Sequence, residues 1–258
     1  MKQRDTKYGV LHLVIGSLFL IASALPSALG GTAYSVWLIF LWPAVDLLVL
    51  GSVYLVDGNC GVLLLGKSQV SGKLSPISIF IFLPYLFGAF VFWRIKHLWK
   101  GEHVCDKVAH GIWVGRYPLH LSVDDPRFAE QPLKIVVDLT GEFPTRRAFH
   151  GRTTYLCAPS LDGLLADPRV LLDTARAVIT SYDAERNHSV YVHCANGHGR
   201  SGLFAGILMV MRGDCSSLEE ARVLMKSRRS VIGWQPHQQR IAEETLHLWK
   251  HDIELTKV

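Results

Sequence analysis

The sequence predicts an α/β fold, a mainly parallel sheet flanked by helices, preceded by an all-α transmembrane region. Three observations lead there. From about residue 103 to residue 258, short β-branched runs alternate with helix-period segments, a pattern that favours parallel strand pairing. The run Ser189 to His193 passes through a glycine-broken loop into an apolar segment, Leu203 to Met211, so a loop sits at the carboxyl end of a strand. Parallel sheets bind ligands at such places. Composition also shifts near Arg94: between Tyr8 and Trp93 only Asp46, Asp57, Lys67 and Lys73 carry charge, whereas the chain beyond is an ordinary mixture. The expected division is therefore a membrane region over 1–100 and an α/β domain over 103–258.

Three hydrophobic segments, 8–25, 33–56 and 77–93, compete as spans. At ~1.5 Å rise per residue each crosses or nearly crosses a ~30 Å hydrocarbon core. The third is the shortest, carries Pro84, and could instead be re-entrant. The N-terminus also fits a cleaved leader, with Lys2, Arg4 and Lys7 before an apolar run and Ala22-Ser23-Ala24 as a processing site; the uninterrupted hydrophobic continuation favours a retained span. Basic residues at both Lys2–Lys7 and Arg94–Lys100 want the same cytoplasmic side, which two or four crossings deliver and three do not. Asp46, three residues after Pro43, reads as structural accommodation rather than an intramembrane functional acid.

In the α/β domain, residues 110–115, 134–139, 153–157 and 189–193 read as strands. Asp167-Pro168 is an N-cap followed by a first-turn proline, opening a helix with Leu171, Leu172, Ala175, Val178 and Ile179 on one face. Residues 202–212 read as a buried central helix. Ser216 with Glu219 forms a capping box for another, and Pro236 opens a last amphipathic helix reaching about His251.

The loop carries the chemistry: His193, Cys194, Ala195, Asn196, Gly197, His198, Gly199, Arg200, Ser201 and Gly202. Amides of a tight loop at a helix N-terminus bind an anion. Arg200 offers a planar fork for two phosphate oxygens. The positive field favours a thiolate at Cys194, and a thiolate is the nucleophile. Ser201 can hydrogen-bond that sulfur. Of the five cysteines only Cys194 has an arginine six residues on.

The string His193-Cys194-x5-Arg200-Ser201 resembles the signature loop of the cysteine-based protein tyrosine phosphatases, and the surrounding chain looks like their compact dual-specificity branch, over roughly 108–245. The resemblance implies that Cys194, Arg200 and Ser201 are catalytic, that Ala195, Asn196, Gly197, His198, Gly199 and Arg200 bind phosphate, and that His193 supports the loop. It also implies a general acid on a loop about thirty residues before the cysteine. Asp162 lies 32 residues before Cys194 and follows the third strand. Asp167 competes but already suits an N-cap. His198 stands where some lipid-directed relatives carry lysine, and either faces substrate or solvent. Asp138 and Glu142 line the pocket edge in relatives, and a solvated charged turn is an equal reading. Arg229 and Gln238 match the late-loop positions of relatives only loosely.

The implied activity is phosphomonoester hydrolysis through a cysteinyl-phosphate, without metal or other cofactor. Phosphoprotein (Tyr, Ser or Thr) is the expected substrate, with a phospholipid such as phosphatidylglycerophosphate or a phosphoinositide as the alternative. A phospho-binding pseudophosphatase is the further alternative, disfavoured by an intact Cys194, Arg200 and Asp162. The histidines show no metal-ligand spacing, and no phosphate-binding Walker loop or dinucleotide fingerprint is present. The expected partners are a membrane and a phosphorylated protein or lipid, not nucleic acid; the expected location is an integral multi-pass membrane protein with its catalytic domain in the cytoplasm.

Overall fold

The computed structural model describes residues 3–28, 34–99, 101–149, 151–184 and 187–255; Lys2, Ala33 and Lys100, which enter the expectations above, and the last three residues of the second domain lie outside the described residues. Two long helices open the chain, α1 (Thr6–Ala28) and α2 (Tyr34–Val56). Both contain a window long and apolar enough to cross a membrane, Thr6–Ala24 and Ile39–Val56, with only 17% and 28% of those windows buried within the protein. A helix that is apolar all round needs an apolar surround. Among the described residues, all but three of the exposed large hydrophobic side chains (Val223, Leu224 and Leu255) lie at or before Trp99.

The two helices form an antiparallel pair. The Asp5 amide donates to the Tyr54 carbonyl at 3.1 Å, and the Gly58 amide to the Gln3 carbonyl at 2.8 Å, so the start of α1 lies beside the end of α2. Glycines set their spacing: a β-carbon at Gly9 would stand 2.6 Å from Leu55, and one at Gly51 2.9 Å from Leu13. Small residues at such crossings let helices pack closely in hydrocarbon.

The stretch over 77–93 is divided between two helices. After the short α3 (Asn59–Leu65), α4 (Pro76–Ile81) stops at Phe82 and α5 (Leu83–Trp99) begins, with Pro84 in its first turn where a missing N–H does no harm. Trp42 Nε1 donates to the Ile81 carbonyl at 2.8 Å, and Asp46 Oδ2 accepts the Tyr85 amide at 2.9 Å. The chain thus climbs beside the middle of α2, turns, and descends along α5 to the α/β domain. Asp46 serves this turn, satisfying a first-turn amide that the helix itself leaves free.

The α/β domain holds a five-stranded sheet in the order β1-β2-β5-β3-β4, with β1 (Cys105–Ala109), β2 (Ile112–Gly115), β3 (Leu133–Thr140), β4 (Thr154–Ser160) and β5 (Ser189–His193). All neighbouring pairs are parallel except β1 with β2, an edge hairpin that was not legible beside the strong 110–115 run. β5 is central and buried throughout. Residues alternate across the sheet: Val190 and Val192 face the core formed with α6 (Pro168–Ala184), α7 (Arg200–Met211), α8 (Leu218–Arg228) and α9 (Pro236–Leu255), while Tyr191 faces a smaller cluster with Val136 and Phe149. Asp167 caps α6, its Oδ1 accepting the Arg169 amide at 2.9 Å. The capping box of α8 is displaced by one residue from expectation: Ser217 Oγ accepts the Glu220 amide at 3.2 Å, and Glu220 reaches back to the Ser216 amide at 2.7 Å.

Candidate active site

The loop between β5 and α7 is held open from outside. The Ala195 carbonyl accepts from Trp93 Nε1 at 2.6 Å and from the Tyr117 amide at 3.0 Å. The Gly197 carbonyl accepts from Arg229 Nε at 2.9 Å, and Arg229 is itself anchored on Asp106 at 2.6 Å. With these carbonyls committed outward, the loop's amides are free to serve the inside of the turn, beside the amide-rich start of α7. Gly197 has φ +73°, and a β-carbon there would lie 2.4 Å from the Gly115 backbone. No L-residue fits that position without displacing β2.

Cys194 is buried at the floor, where its Sγ accepts the Gly197 amide at 3.2 Å and lies 3.4 Å from Ser201 Oγ. Arg200 is only 1% exposed. Its Nη1 donates to the Ser160 carbonyl at 2.7 Å; its Nη2 donates to Glu142 Oε1 at 2.7 Å and to Asp162 Oδ1 at 2.9 Å. Burial works against this charge, but Glu142, Asp162 and Cys194 hold it firmly protonated. Its Nε is buried and has no partner among the described residues. A buried donor of that kind asks for an acceptor.

Asp162 lies on the loop after β4, as the spacing from Cys194 implied. Oδ1 meets Arg200, Oδ2 accepts from Tyr8 Oη at 3.0 Å, and its backbone carbonyl accepts from Tyr54 Oη at 3.0 Å. His237 Nε2 lies 2.8 Å from the Gly163 carbonyl. The loop carrying Asp162 is therefore gripped by α1, α2 and α9 together, and no local pattern foretold the tyrosines. Glu142 and Asp138, open to reading as a solvated turn, are both buried. Glu142 forks onto Arg200. Asp138 meets Lys67 Nζ at 2.7 Å and Tyr155 Oη at 2.7 Å.

His193 is buried, its Nε2 3.9 Å from Asp138 Oδ1, and its ring stacks on Tyr191 with centroids 5.6 Å apart. Burial lowers it to about 4, with Asp138 acting the other way. His198 lies at the mouth and pairs with Glu102 at 2.8 Å; burial lowers it too, despite that neighbour. Gly199 precedes α7, and a β-carbon there would stand 3.2 Å from Gln238 Oε1. Gln238 thus borders the loop, a proximity only loosely suggested by the sequence, whereas Arg229 braces the loop's back through Gly197. Asn196 accepts from Lys96 Nζ at 3.2 Å. Burial pushes the thiols of Cys105 and Cys157 up to about 11 and 12, so neither offers a thiolate at neutral pH.

Cys194 and Arg200 open into a cavity of about 490 Å³, rimmed by Arg4, Lys7, Lys96, Trp234 and Gln238. Arg4 lies just before α1, Lys7 in its first turn and Lys96 on α5. Among the described residues no cluster of three or more His, Cys, Asp or Glu could hold a metal ion. The arrangement offers a thiol nucleophile, a buried guanidinium and a carboxyl group around one small anion-sized space.

Comparison with solved structures finds similarity to Tk-PTP in its active form (20% identity, 55% of this chain and 95% of that chain, TM-score 0.47). PTPMT1 in complex with PI(5)P is similar at 20% identity over 55% of this chain and 94% of that chain, TM-score 0.47. Human DUSP28 is similar at 19% identity over 57% of this chain and 96% of that chain, TM-score 0.47. Comparison with curated proteins finds no match. The family model of the dual specificity phosphatase catalytic domain matches residues 112–244, from β2 into α9 and just over half the chain. This chain belongs to the dual specificity phosphatase catalytic-domain family.

Proposed function

We propose that this protein is a membrane-anchored phosphatase that hydrolyses phosphomonoesters through a cysteinyl-phosphate. The observation that carries the reading is Arg200: a fully buried guanidinium beside Cys194, fixed by Glu142, with one donor still unpaired. A phosphoryl dianion supplies what that donor lacks. As it binds, it competes for Nη2 with Asp162, whose other oxygen stays with Tyr8. Cys194 Sγ attacks phosphorus, the bond to the leaving oxygen breaks, and Asp162 in its acid form protonates that oxygen. Arg200 and the loop amides stabilise the charge on the transferring group. Water then attacks phosphorus, giving its proton to Asp162, and the S–P bond breaks with Ser201 hydrogen-bonding the departing sulfur.

In this reading α1 and α2 cross the bilayer as a hairpin and α4–α5 enters and returns. Arg4, Lys7, Arg94 and Lys96 then share one side with the catalytic domain, as the positive-inside tendency favours for a cytoplasmic face. The five cysteines are all free, which suits a reducing compartment. The test is phosphate release by the full-length protein in detergent. Cys194→Ser is expected to abolish turnover and Asp162→Asn to slow it while a phosphoenzyme still forms on an activated aryl phosphate. Full activity in Cys194→Ser refutes the proposal.

A further inference from the structure

We infer that the substrate is a membrane lipid ending in a phosphomonoester, and that a groove between α1, α2 and α5 takes its acyl chain; this rests on the phosphatase reading above. The groove is a second cavity, of about 440 Å³, within the ~300–1,000 Å³ range of sites that enclose a whole small ligand. Leu11, Ile15 and Phe19 of α1, Leu47 of α2 and Phe92 of α5 supply apolar walls. Glu142, Asp162 and Asn196 border it, and the packed rings of Tyr8, His12, Tyr54 and Tyr85 add the remaining polar atoms. Tyr8, Asp162 and Asn196 line this groove and the catalytic cavity alike, so the two adjoin. The groove ends at the reacting groups.

Its other boundaries point to hydrocarbon. Leu11 and Phe92 on its rim are 53% and 73% exposed, on helices whose outer surfaces are apolar. At the opposite, aqueous end Arg4, Lys7 and Lys96 gather around the mouth of the catalytic cavity, where lipid phosphates lie. A phosphate drawn to Arg200 therefore leaves its attached chain beside the groove.

Backbone chemistry separates a lipid from a phosphopeptide. Helical walls have already used their amides and carbonyls internally, so the groove offers a peptide almost no partners for its own N–H and C=O groups. Burying those groups unpaired is unfavourable, whereas a hydrocarbon chain brings none. The lipid alternative is thus preferred over the phosphoprotein substrate that the sequence led us to expect. Gly88 of α5 lines the groove, and a β-carbon built on it would meet nothing within 4 Å. Bulk can thus be added there into the groove itself.

The experiment compares dipalmitoyl phosphatidate in mixed micelles, water-soluble dihexanoyl phosphatidate, a phosphotyrosyl peptide and p-nitrophenyl phosphate, using full-length wild type, Gly88→Phe and, on the outward face of α1, Leu18→Phe. Each buried methylene favours the longer chain several-fold, so kcat/KM for the long-chain lipid should exceed that for the short-chain one by at least about a hundredfold. Gly88→Phe should lower that ratio by about tenfold or more, and Leu18→Phe should leave it unchanged. In Cys194→Ser, a diazirine on the acyl chain should label α1 and α5, a readout that stands even if Gly88→Phe fails to fold. Equal use of both chain lengths, a preference for the phosphopeptide, or labelling elsewhere overturns the lipid inference while the phosphatase reading stands. Failure on every substrate, p-nitrophenyl phosphate included, overturns the phosphatase reading first.

Discussion

Replacing Lys67 with Met should be among the most damaging single changes outside the catalytic loop, although Lys67 takes no part in the proposed reaction. Its ammonium is fully buried and faces four acceptors: Asp138 Oδ2 at 2.7 Å, the Thr140 carbonyl at 2.7 Å, Thr140 Oγ1 at 2.9 Å and the Phe143 carbonyl at 2.6 Å. Methionine keeps the packing and removes the charge. Asp138 then remains buried as an uncompensated carboxylate, and breaking such a pair costs about 3–5 kcal/mol. Hydrogen bonds from Tyr155 and from the Thr140 amide and hydroxyl persist, which places the loss toward the lower figure. For a domain of this size that corresponds to a fall of about 10 °C in Tm, read by tryptophan fluorescence of the full-length protein in detergent.

The pH dependence gives the sharper test. In the wild type, burial disfavours the Asp138 charge, but Lys67 and the hydrogen bonds outweigh it and hold the carboxyl below its ordinary range. That stability is present above the usual carboxylate range and lost as pH falls. Without Lys67, burial dominates and the folded form binds a proton more tightly than the unfolded one, so this contribution grows as pH falls. The slope from Asp138 thus changes sign, and Lys67→Met with Asp138→Asn should recover most of the loss. A Lys67→Met protein with wild-type Tm, or a double variant no better than the single, refutes the reasoning.

Two further outcomes follow from the same geometry. His193 is lowered to about 4, mainly by burial, so its neutral form stabilises the fold above its ordinary value near 6.5. Stability should fall by about 3 kcal/mol as pH drops through that window, and His193→Gln should show a flatter acid slope in thermal unfolding between pH 6.5 and 4; an unchanged slope contradicts the assignment. Tyr8→Phe removes one hydrogen bond to Asp162, about 1.5 kcal/mol at a charged group. Its kcat should fall about tenfold on an alkyl phosphate and much less on p-nitrophenyl phosphate, whose leaving group needs no proton; equal losses on both remove Tyr8 as a positioning residue for the acid.

Much of the site was legible because its chemistry is local. Cys194 through Ser201 fit one short loop whose glycines, arginine and helix start are consecutive, and Asp162 stands on the loop that follows the strand before it in sequence. Asp167 was legible as a cap for the same reason. Glu142, Tyr8 and Tyr54 were not: a glutamate in a turn and tyrosines in apolar helices have no pattern that marks them as partners of Arg200 and Asp162. Their contacts span 58, 154 and 108 residues of sequence. The edge strand β1 escaped because five mixed residues before a glycine turn carry little periodicity.

By itself the sequence determined most strands and helices of the α/β domain, the anion-binding loop and an apolar first third, since these rest on residue periodicity and on neighbours within a few positions. Only the tertiary structure decided how that first third packs. Hydropathy cannot distinguish a third crossing from α4 and α5 folded back against α2, because both bury the same apolar side chains. The break at Phe82, the Asp46 contact that fills the first turn of α5, and the Trp93 contact at its end fix how α4 and α5 pack against α2 and the α/β domain. Those same packings bring Tyr8, Lys96 and an apolar groove to the Cys194 loop, an outcome of helix crossing geometry rather than of any run of residues.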